Sequence, residues 1–305
     1  MSKVVREKDT GKCERDGLNG MKSYLSLIAI DLKLAARMRT VIFFNYLFPL
    51  MIFFIFGTVF KASRNPETVT YVLTMSVALG ILGNGLFGAG IRAVQEREMN
   101  ILRRYKVTPI SPAPLLVASM VTGWVVFMPY IVLVFTLAHT VYKMPWPAHL
   151  GTLALFISLG LVAFRSFGLV IASVANTMQE AAILVQLCYF PMLFLSGATV
   201  PSSIFPHIVQ LISNFIPATY LVKGVQGIML QGQGMHEIWK WVLALVVTAG
   251  VGLAVGTKLF RWEKEEKIQP SAKMWILVAL IPFLVLGAYY AYTGVGTPVS
   301  PFGDR

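Results

Sequence analysis

A charged stretch at residues 92–112 has the residue types best suited to binding a partner. Its charges are too dense to cross lipid: Glu96, Arg97, Glu98, Arg103, Arg104 and Lys106. It also carries apolar side chains, enough to dock a short helix: Val94, Met99, Ile101, Leu102 and Tyr105. Pro109 disfavours helical geometry in Thr108 and so ends that helix. The pattern favours a helical lever over 94–108, and a solvated loop whose basic residues only hold the topology is the alternative.

Residues 201–237 are apolar in composition but interrupted by prolines and glycines, among them Pro206, Pro217, Gly224 and Gly227. Broken backbone at membrane depth is tolerated only where protein or a water-filled cavity covers it. The stretch therefore favours short re-entrant helices that narrow the outer exit of a pathway. An ordinary outer loop with an interfacial helix is the alternative. His207 has no second His or carboxylate at ligand spacing, so we expect no metal site.

Arg165 lies inside an apolar block, where an ionisable side chain is costly enough to be a functional candidate. Snorkelling to the inner boundary, or pairing with another helix, is the competing explanation. The glycines around Asn84 match a dinucleotide fingerprint only formally, because no strand precedes them; small residues there let helices approach closely. The 305 residues contain no G-x-x-x-x-G-K-[ST] loop to cradle nucleotide phosphates.

The composition predicts the elements that position these residues. The chain is 56% hydrophobic and only 13% charged, and it falls far below the charge content of a soluble domain. Its apolar residues form blocks of the length that crosses hydrocarbon, about 20 residues. The candidate spans are 41–60, 70–91, 113–139, 149–173, 180–200, 238–257 and 274–294. We therefore predict an all-α integral membrane protein. Residues 21–40 place Lys22, Lys33 and Arg37 on one side of a helix and apolar residues on the other, which favours an N-terminal interfacial helix on the inner surface; a cytoplasmic lead-in to the first span is the alternative.

The distribution of Lys and Arg predicts the orientation, because these residues are retained on the cytoplasmic side. With the N-terminus inside, 19 of the 26 Lys and Arg lie in inner segments and five in outer loops. We expect a multi-pass plasma-membrane protein with a cytoplasmic N-terminus and an outer C-terminus. The predicted divisions are a polar tail 1–20, an amphipathic interfacial helix 21–40, a transmembrane domain 41–260, a charged linker 261–273, an additional span 274–294 and an outer tail 295–305.

Two separated motifs resemble the membrane subunits of ATP-binding cassette exporters of the ABC-2 type. In that family an E-x-E segment, a basic stretch and a T-P-x-S ending form the coupling helix that docks into the ATPase. The matching residues here are Glu96-Arg97-Glu98, Leu102-Arg103-Arg104-Tyr105 and Thr108-Pro109-Ile110-Ser111. The family's F-x-S-G motif and the prolines before its outer re-entrant helices match Phe194-Leu195-Ser196-Gly197, Pro201, Pro206 and Pro217. The resemblance covers residues 22–260.

The resemblance implies six family-type spans, with 274–294 as an additional seventh. It implies a permease subunit that forms the substrate pathway as a homo- or heterodimer within membrane lipid. It also implies separate ABC-type ATPase subunits, which hold the ATP and Mg²⁺, so we expect no cofactor in this chain. The net charge of +12 follows the membrane topology, so we expect no nucleic-acid partner. A membrane-embedded lipid-modifying enzyme and a seven-span sensor are the rival functions.

Overall fold

The computed structural model describes residues 28–30, 32–33, 37, 39–60, 66–102, 112–261, 281–282 and 284–292. Every regular element within these residues is a helix, which confirms the all-α prediction. The tails 1–20 and 295–305, most of the interfacial helix 21–40 and the linker beyond residue 261 lie outside the described residues. The same holds for five predicted coupling residues: Arg103, Arg104, Tyr105, Thr108 and Pro109.

The first two predicted spans are continuous helical stretches that each contain a π-helical segment. The first consists of α1 (Arg39–Ile42), π1 (Phe43–Leu47) and α2 (Phe48–Val59). The second consists of α3 (Pro66–Gly83), π2 (Asn84–Ile91) and α4 (Arg92–Glu98). The later helices are α5 (Pro112–Tyr142), α6 (Leu150–Val174), α7 (Met178–Leu195), α8 (His207–Ser213), α9 (Pro217–Leu230) and α10 (Trp239–Lys258). Residues 284–292 form a further helix, which is named the C-terminal helix.

In the described part of the chain, five helices are long and apolar enough to cross a membrane: Glu67–Glu98, Leu115–Tyr142, Leu150–Val174, Met178–Leu195 and Trp239–Lys258. The first predicted span contributes a shorter apolar helix, Asn45–Val59. Helices α8 and α9 meet at 96° across Asn214–Ile216 and form a broken segment, as the prolines predict. The protein is therefore a multi-pass membrane protein. The C-terminal helix accounts for part of the predicted seventh span 274–294, of which residues 274–280, 283, 293 and 294 lie outside the described residues.

The second span extends further than its apolar residues predict. We expected it to end at residue 91, with a separate lever beyond, but the helix continues to Glu98. Arg92 Nε donates to Glu96 Oε1 at 2.8 Å, one helical turn away, which stabilises this charged extension. The chain then turns at Asn100, whose φ is 56°. The residues of the predicted lever that are described thus begin as the last turns of the span itself.

Helix α6 lies at the centre of the bundle and packs most extensively against π2 and α10. Its contact with π2 is a backbone contact: a Cβ added to Gly168 would lie 2.2 Å from the carbonyl oxygen of Gly85. The glycine-rich stretch therefore serves close helix approach, as its small residues predict.

Candidate functional site

The bundle carries functional candidates at both ends and one between them. The end that contains Arg97, Ala175 and Arg261 is named the Arg97 end. The end that contains Gly197, Pro206 and Pro217 is named the Pro206 end. The second span runs from the Pro206 end to the Arg97 end, and α7 runs back, since Tyr71 contacts Gly197 and Glu98 contacts Met178. These two spans therefore connect the coupling motif with the exit motif.

At the Arg97 end, two guanidinium groups hold the last turn of α6. Arg97 is only 3% exposed, and its Nη1 donates to the carbonyl of Ala172 at 3.0 Å while its Nη2 donates to the carbonyl of Ala175. Arg261, which follows α10, donates to the same Ala175 carbonyl at 2.6 Å and to Asn176 Oδ1 at 2.9 Å. The last carbonyls of a helix have no donor within it and carry its negative dipole end, so two cations are favourable there.

Glu98 makes the opposite contact with the next helix. Its Oε1 accepts a hydrogen bond from the backbone N–H of Met178, the first residue of α7, at 3.0 Å. The N-terminus of a helix is the positive end of its dipole, so it favours a carboxylate. Thr177 caps the same helix by accepting from the N–H of Glu180 at 3.2 Å. Consecutive residues of opposite charge on α4 therefore bind the end of one span and the start of the next.

Through these contacts, two residues of the predicted coupling motif bind other spans of the same chain. Arg97 and Glu98 connect α4 to the turn between α6 and α7, and Leu102 is also buried. Glu96 stays partly exposed in its pair with Arg92. Arg97 and Glu98 of the motif, together with Arg261, hold the turn at 175–178. These three residues are named the clamp. Arg261 was not among the predicted residues, because its position after an apolar span is its only signal in the sequence.

Arg165 lies in the middle of the bundle and joins three spans, so it pairs with other helices and does not snorkel. It is 3% exposed. Its Nη1 donates to Asn84 Oδ1 at 2.7 Å and its Nη2 to Ser119 Oγ at 2.8 Å. Asn84 in turn donates to Asn45 Oδ1 at 2.6 Å, which connects the two π-helical segments. The guanidinium lies against Gly123, where an added Cβ would be 2.2 Å from Arg165 Cζ.

Arg165, Asn84, Asn45 and Ser119 form one buried hydrogen-bonded group, named the Arg165 cluster. Buried polar groups of this kind are stable only when hydrogen-bonded, and the partners come from three further spans: Asn45, Asn84 and Ser119. Arg165 was predicted as a functional candidate, whereas its three partners were not. The signal that could have identified them is an isolated Asn within an apolar block, as at Asn45 and Asn84.

At the Pro206 end, the predicted exit motif terminates α7. Gly197 has a φ of +83°, a conformation that favours glycine. The buried Ser196 hydroxyl accepts from the N–H of Ala198 at 3.3 Å, and Tyr71 from the second span donates to the Gly197 carbonyl at 3.4 Å. Phe194 is 51% exposed, so it faces outward from the bundle.

The prolines of this end start the elements that follow. Pro201 and Pro206 directly precede the short 3₁₀ turn and α8, and Pro217 is the first residue of α9, where the missing N–H costs nothing. The carbonyls at the bend are satisfied by side chains: Thr219 Oγ1 donates to Ser213 at 2.6 Å and Tyr220 donates to Asn214. Such compensation is what broken backbone at membrane depth requires.

The described residues contain no group of three or more His, Cys, Asp and Glu side chains that could hold a metal ion.

Comparison with known proteins adds independent evidence. The ABC-2 type transporter family matches residues 22–230. The chain is 27% identical over 203 residues to the inner membrane transport permease YhhJ of Escherichia coli, which covers 66% of this chain and 54% of the relative. It is 26% identical over 192 residues to a protein named "Probable multidrug ABC transporter permease YbhR" of the same organism, covering 61% of this chain and 50% of that protein.

A shorter match links the chain to nodulation protein J of Rhizobium leguminosarum bv. trifolii, 30% identical over 105 residues, or 34% of this chain and 40% of the relative. The chain spans about half the length of the E. coli relatives it matches. Since the family match covers more than half of the chain and both motifs lie inside it, the chain belongs to the ABC-2 type transporter family.

Proposed function

We propose that this chain is the membrane-spanning permease subunit of an ATP-driven exporter. It forms the substrate pathway as a dimer, and separate ABC-type ATPase subunits bind at the Arg97 end. ATP and Mg²⁺ belong to those subunits, since this chain has no phosphate-binding loop of the G-x-x-x-x-G-K-[ST] type. The family and the transport permeases among its relatives support this proposal.

The observation that carries the coupling role is the clamp. A force applied to the chain beyond Glu98 reaches α6 through Arg97 and α7 through Glu98. It also reaches the end of α10, because Arg261 shares the Ala175 carbonyl with Arg97. A displacement of one charged segment therefore acts on four spans at once. A solvated loop that only held the topology would need none of these contacts.

The same arrangement suggests the order of events in transport. Closure of the ATPase pair moves the segment beyond Glu98, and the clamp tilts the second, fourth, fifth and sixth predicted spans together. The pathway opens between the two protomers, and the substrate leaves past the broken segment at the Pro206 end. In this orientation the Arg97 end faces the cytoplasm, which the excess of Lys and Arg in the corresponding segments supports.

The test is affinity co-purification of the detergent-solubilised chain from its own host, with bound proteins identified by mass spectrometry. We expect a soluble ATPase with a phosphate-binding loop, and we expect Glu96→Ala combined with Arg104→Ala to release it, since Glu96 is partly exposed whereas Glu98 is engaged with α7. The matched control removes one acidic and one basic side chain from the opposite end, with Glu237→Ala and Lys143→Ala, and should retain it. Recovery of the chain alone under conditions that preserve complexes would overturn the proposal and reopen the enzyme and sensor alternatives.

A further inference from the structure

The C-terminal helix packs on the broken segment and on the start of α10. Gly287 lies against the ring of Phe215, which occupies the bend between α8 and α9. Tyr290 contacts Tyr220 of α9 at 5.3 Å between ring centroids and Trp241 of α10 at 5.4 Å. One short helix thus contacts the bend, α9 and α10. Its residues also lie beyond the part of the chain that the family matches, 22–230.

The contact at Gly287 leaves no room for a side chain. A Cβ built there would be 2.3 Å from Phe215 Cδ1 and 2.8 Å from Cε1. Glycine is therefore needed for the helix to approach the bend this closely. A single added methyl group must displace either the phenyl ring or the helix.

Tyr290 provides the polar half of the contact. Its side chain is 3% exposed, and its hydroxyl donates to the carbonyl of Lys240 in the first turn of α10 at 2.9 Å. Buried tyrosine hydroxyls are normally paired in this way, and the ring contributes packing with its aromatic neighbours. The hydroxyl fixes the ring over Tyr220, so the start of α9 and the start of α10 are held by one residue.

The bend itself belongs to the same network. Asn214 accepts from Tyr220 through its carbonyl, and its Oδ1 accepts from Lys223 Nζ at 3.2 Å. Lys223 in turn lies 5.6 Å from the centroid of the Trp241 ring. Movement of the bend away from α10 must therefore disturb the aromatic cluster that Tyr290 completes. Other residues of the C-terminal helix face away: Leu284 is 55% exposed, Val285 62% and Tyr292 92%.

We propose that Gly287 and Tyr290 are positioning residues for the exit: the C-terminal helix holds the α8–α9 bend against α10 and sets how readily the Pro206 end opens. The inference rests on the proposed function, in which this end is the exit. It assigns the additional span a role in transport that the six family-type spans do not supply.

The experiment measures access to the bend in membrane vesicles that contain the full chain. In a background with Cys13→Ser and Cys188→Ala, the buried Ser213 beside the bend is changed by Ser213→Cys and labelled with a membrane-impermeant maleimide. Tyr290→Phe removes the hydroxyl and should raise the labelling rate by roughly two- to tenfold, the factor for one hydrogen bond of ordinary net strength. Gly287→Ala should raise it at least as much, because the added carbon overlaps Phe215.

Two controls make the same chemical changes on the exposed face of the same helix. Tyr292→Phe removes a hydroxyl and Val285→Leu adds one carbon, and neither should change the labelling rate. General destabilisation is controlled by Gly80→Ala, whose added carbon would lie 2.7 Å from the Phe127 ring: it should lower the thermal midpoint of the purified protein without raising the labelling rate. Equal labelling of Tyr290→Phe, Gly287→Ala and the two exposed-face controls, or an equal rise in Gly80→Ala, would overturn the inference.

Failure of this inference and failure of the proposed function are separable in the same samples. The ATPase subunit is scored by co-purification with each variant, and its recovery depends on the Arg97 end. Its absence from the unmodified chain would refute the transporter proposal whatever the labelling shows. Its presence with unchanged labelling would refute only the role of the C-terminal helix.

Discussion

The shared carbonyl of Ala175 makes the clamp testable by a double-mutant cycle. Arg97→Met and Arg261→Met each replace a buried guanidinium by an apolar side chain of similar length. After either change alone, the Ala175 carbonyl keeps the donor of the other arginine. After both changes it loses both of these donors. The two substitutions should therefore destabilise the protein more together than the sum of their separate effects.

The magnitude follows from the contacts. Each arginine donates charge-assisted hydrogen bonds at this end, whose loss is partly offset because a buried cation no longer has to be desolvated, so each single change should cost about 1–3 kcal/mol. The double change leaves a buried carbonyl without these donors, which adds about 1–3 kcal/mol. Repulsion between the two cations acts in the same direction, since removing one of them relieves the other.

The assay is unfolding in mixed micelles titrated with a denaturing detergent, from which free energies of unfolding are obtained for all four proteins of the cycle. Lys143→Met, at the opposite end of the bundle, is combined with Arg97→Met as the control pair. Distant sites should add to within about 0.5 kcal/mol. If the Arg97 and Arg261 pair is equally additive, the two guanidinium groups do not share an acceptor and the clamp is not a unit.

Two further predictions concern close packing at glycines. Gly123→Ala places a carbon 2.2 Å from Arg165 Cζ, so it should lower the free energy of unfolding by about 1–3 kcal/mol in the same assay. Gly151→Ala is the control, because nothing lies within 4 Å of its added carbon, and it should leave the free energy of unfolding nearly unchanged. Equal effects of the two changes would contradict the packing around the guanidinium. Gly168→Ala meets backbone, which cannot rotate away, so it should reduce the amount of folded protein in the membrane more than Gly123→Ala does, as measured by fluorescence-detected gel filtration; the reverse order would be the contrary result.

The membrane spans were predictable because their signal is local. A block of apolar residues that crosses hydrocarbon is visible in the sequence whatever it packs against. The break at the Pro206 end was equally visible, since Pro206 and Pro217 impose their backbone geometry on the residues beside them. The helix boundaries were less accurate at Glu98, because charged residues that are satisfied by partners far along the chain do not end a helix.

The sequence could not predict which charged side chain of the motif faces the interior of the bundle. Glu96, Arg97 and Glu98 are consecutive and looked equally available to a partner, yet Arg97 turns inward. Its acceptors Ala172 and Ala175 lie more than 70 residues away and are backbone carbonyls, which have no sequence signature. Only the rotation of α4 about its axis decides which charge is buried.

The sequence by itself determined that this protein lies in a membrane, that its backbone breaks near Pro206 and that it carries a charged segment resembling the coupling helix of its family. Each of these properties depends on residues adjacent in the chain and on the solvent around them. The tertiary structure alone decided that Arg97, Glu98 and Arg261 form a clamp, and that the C-terminal helix contacts Phe215 through Gly287. These contacts join residues separated by many helical turns, so they exist only once the helices have packed in one register and rotation.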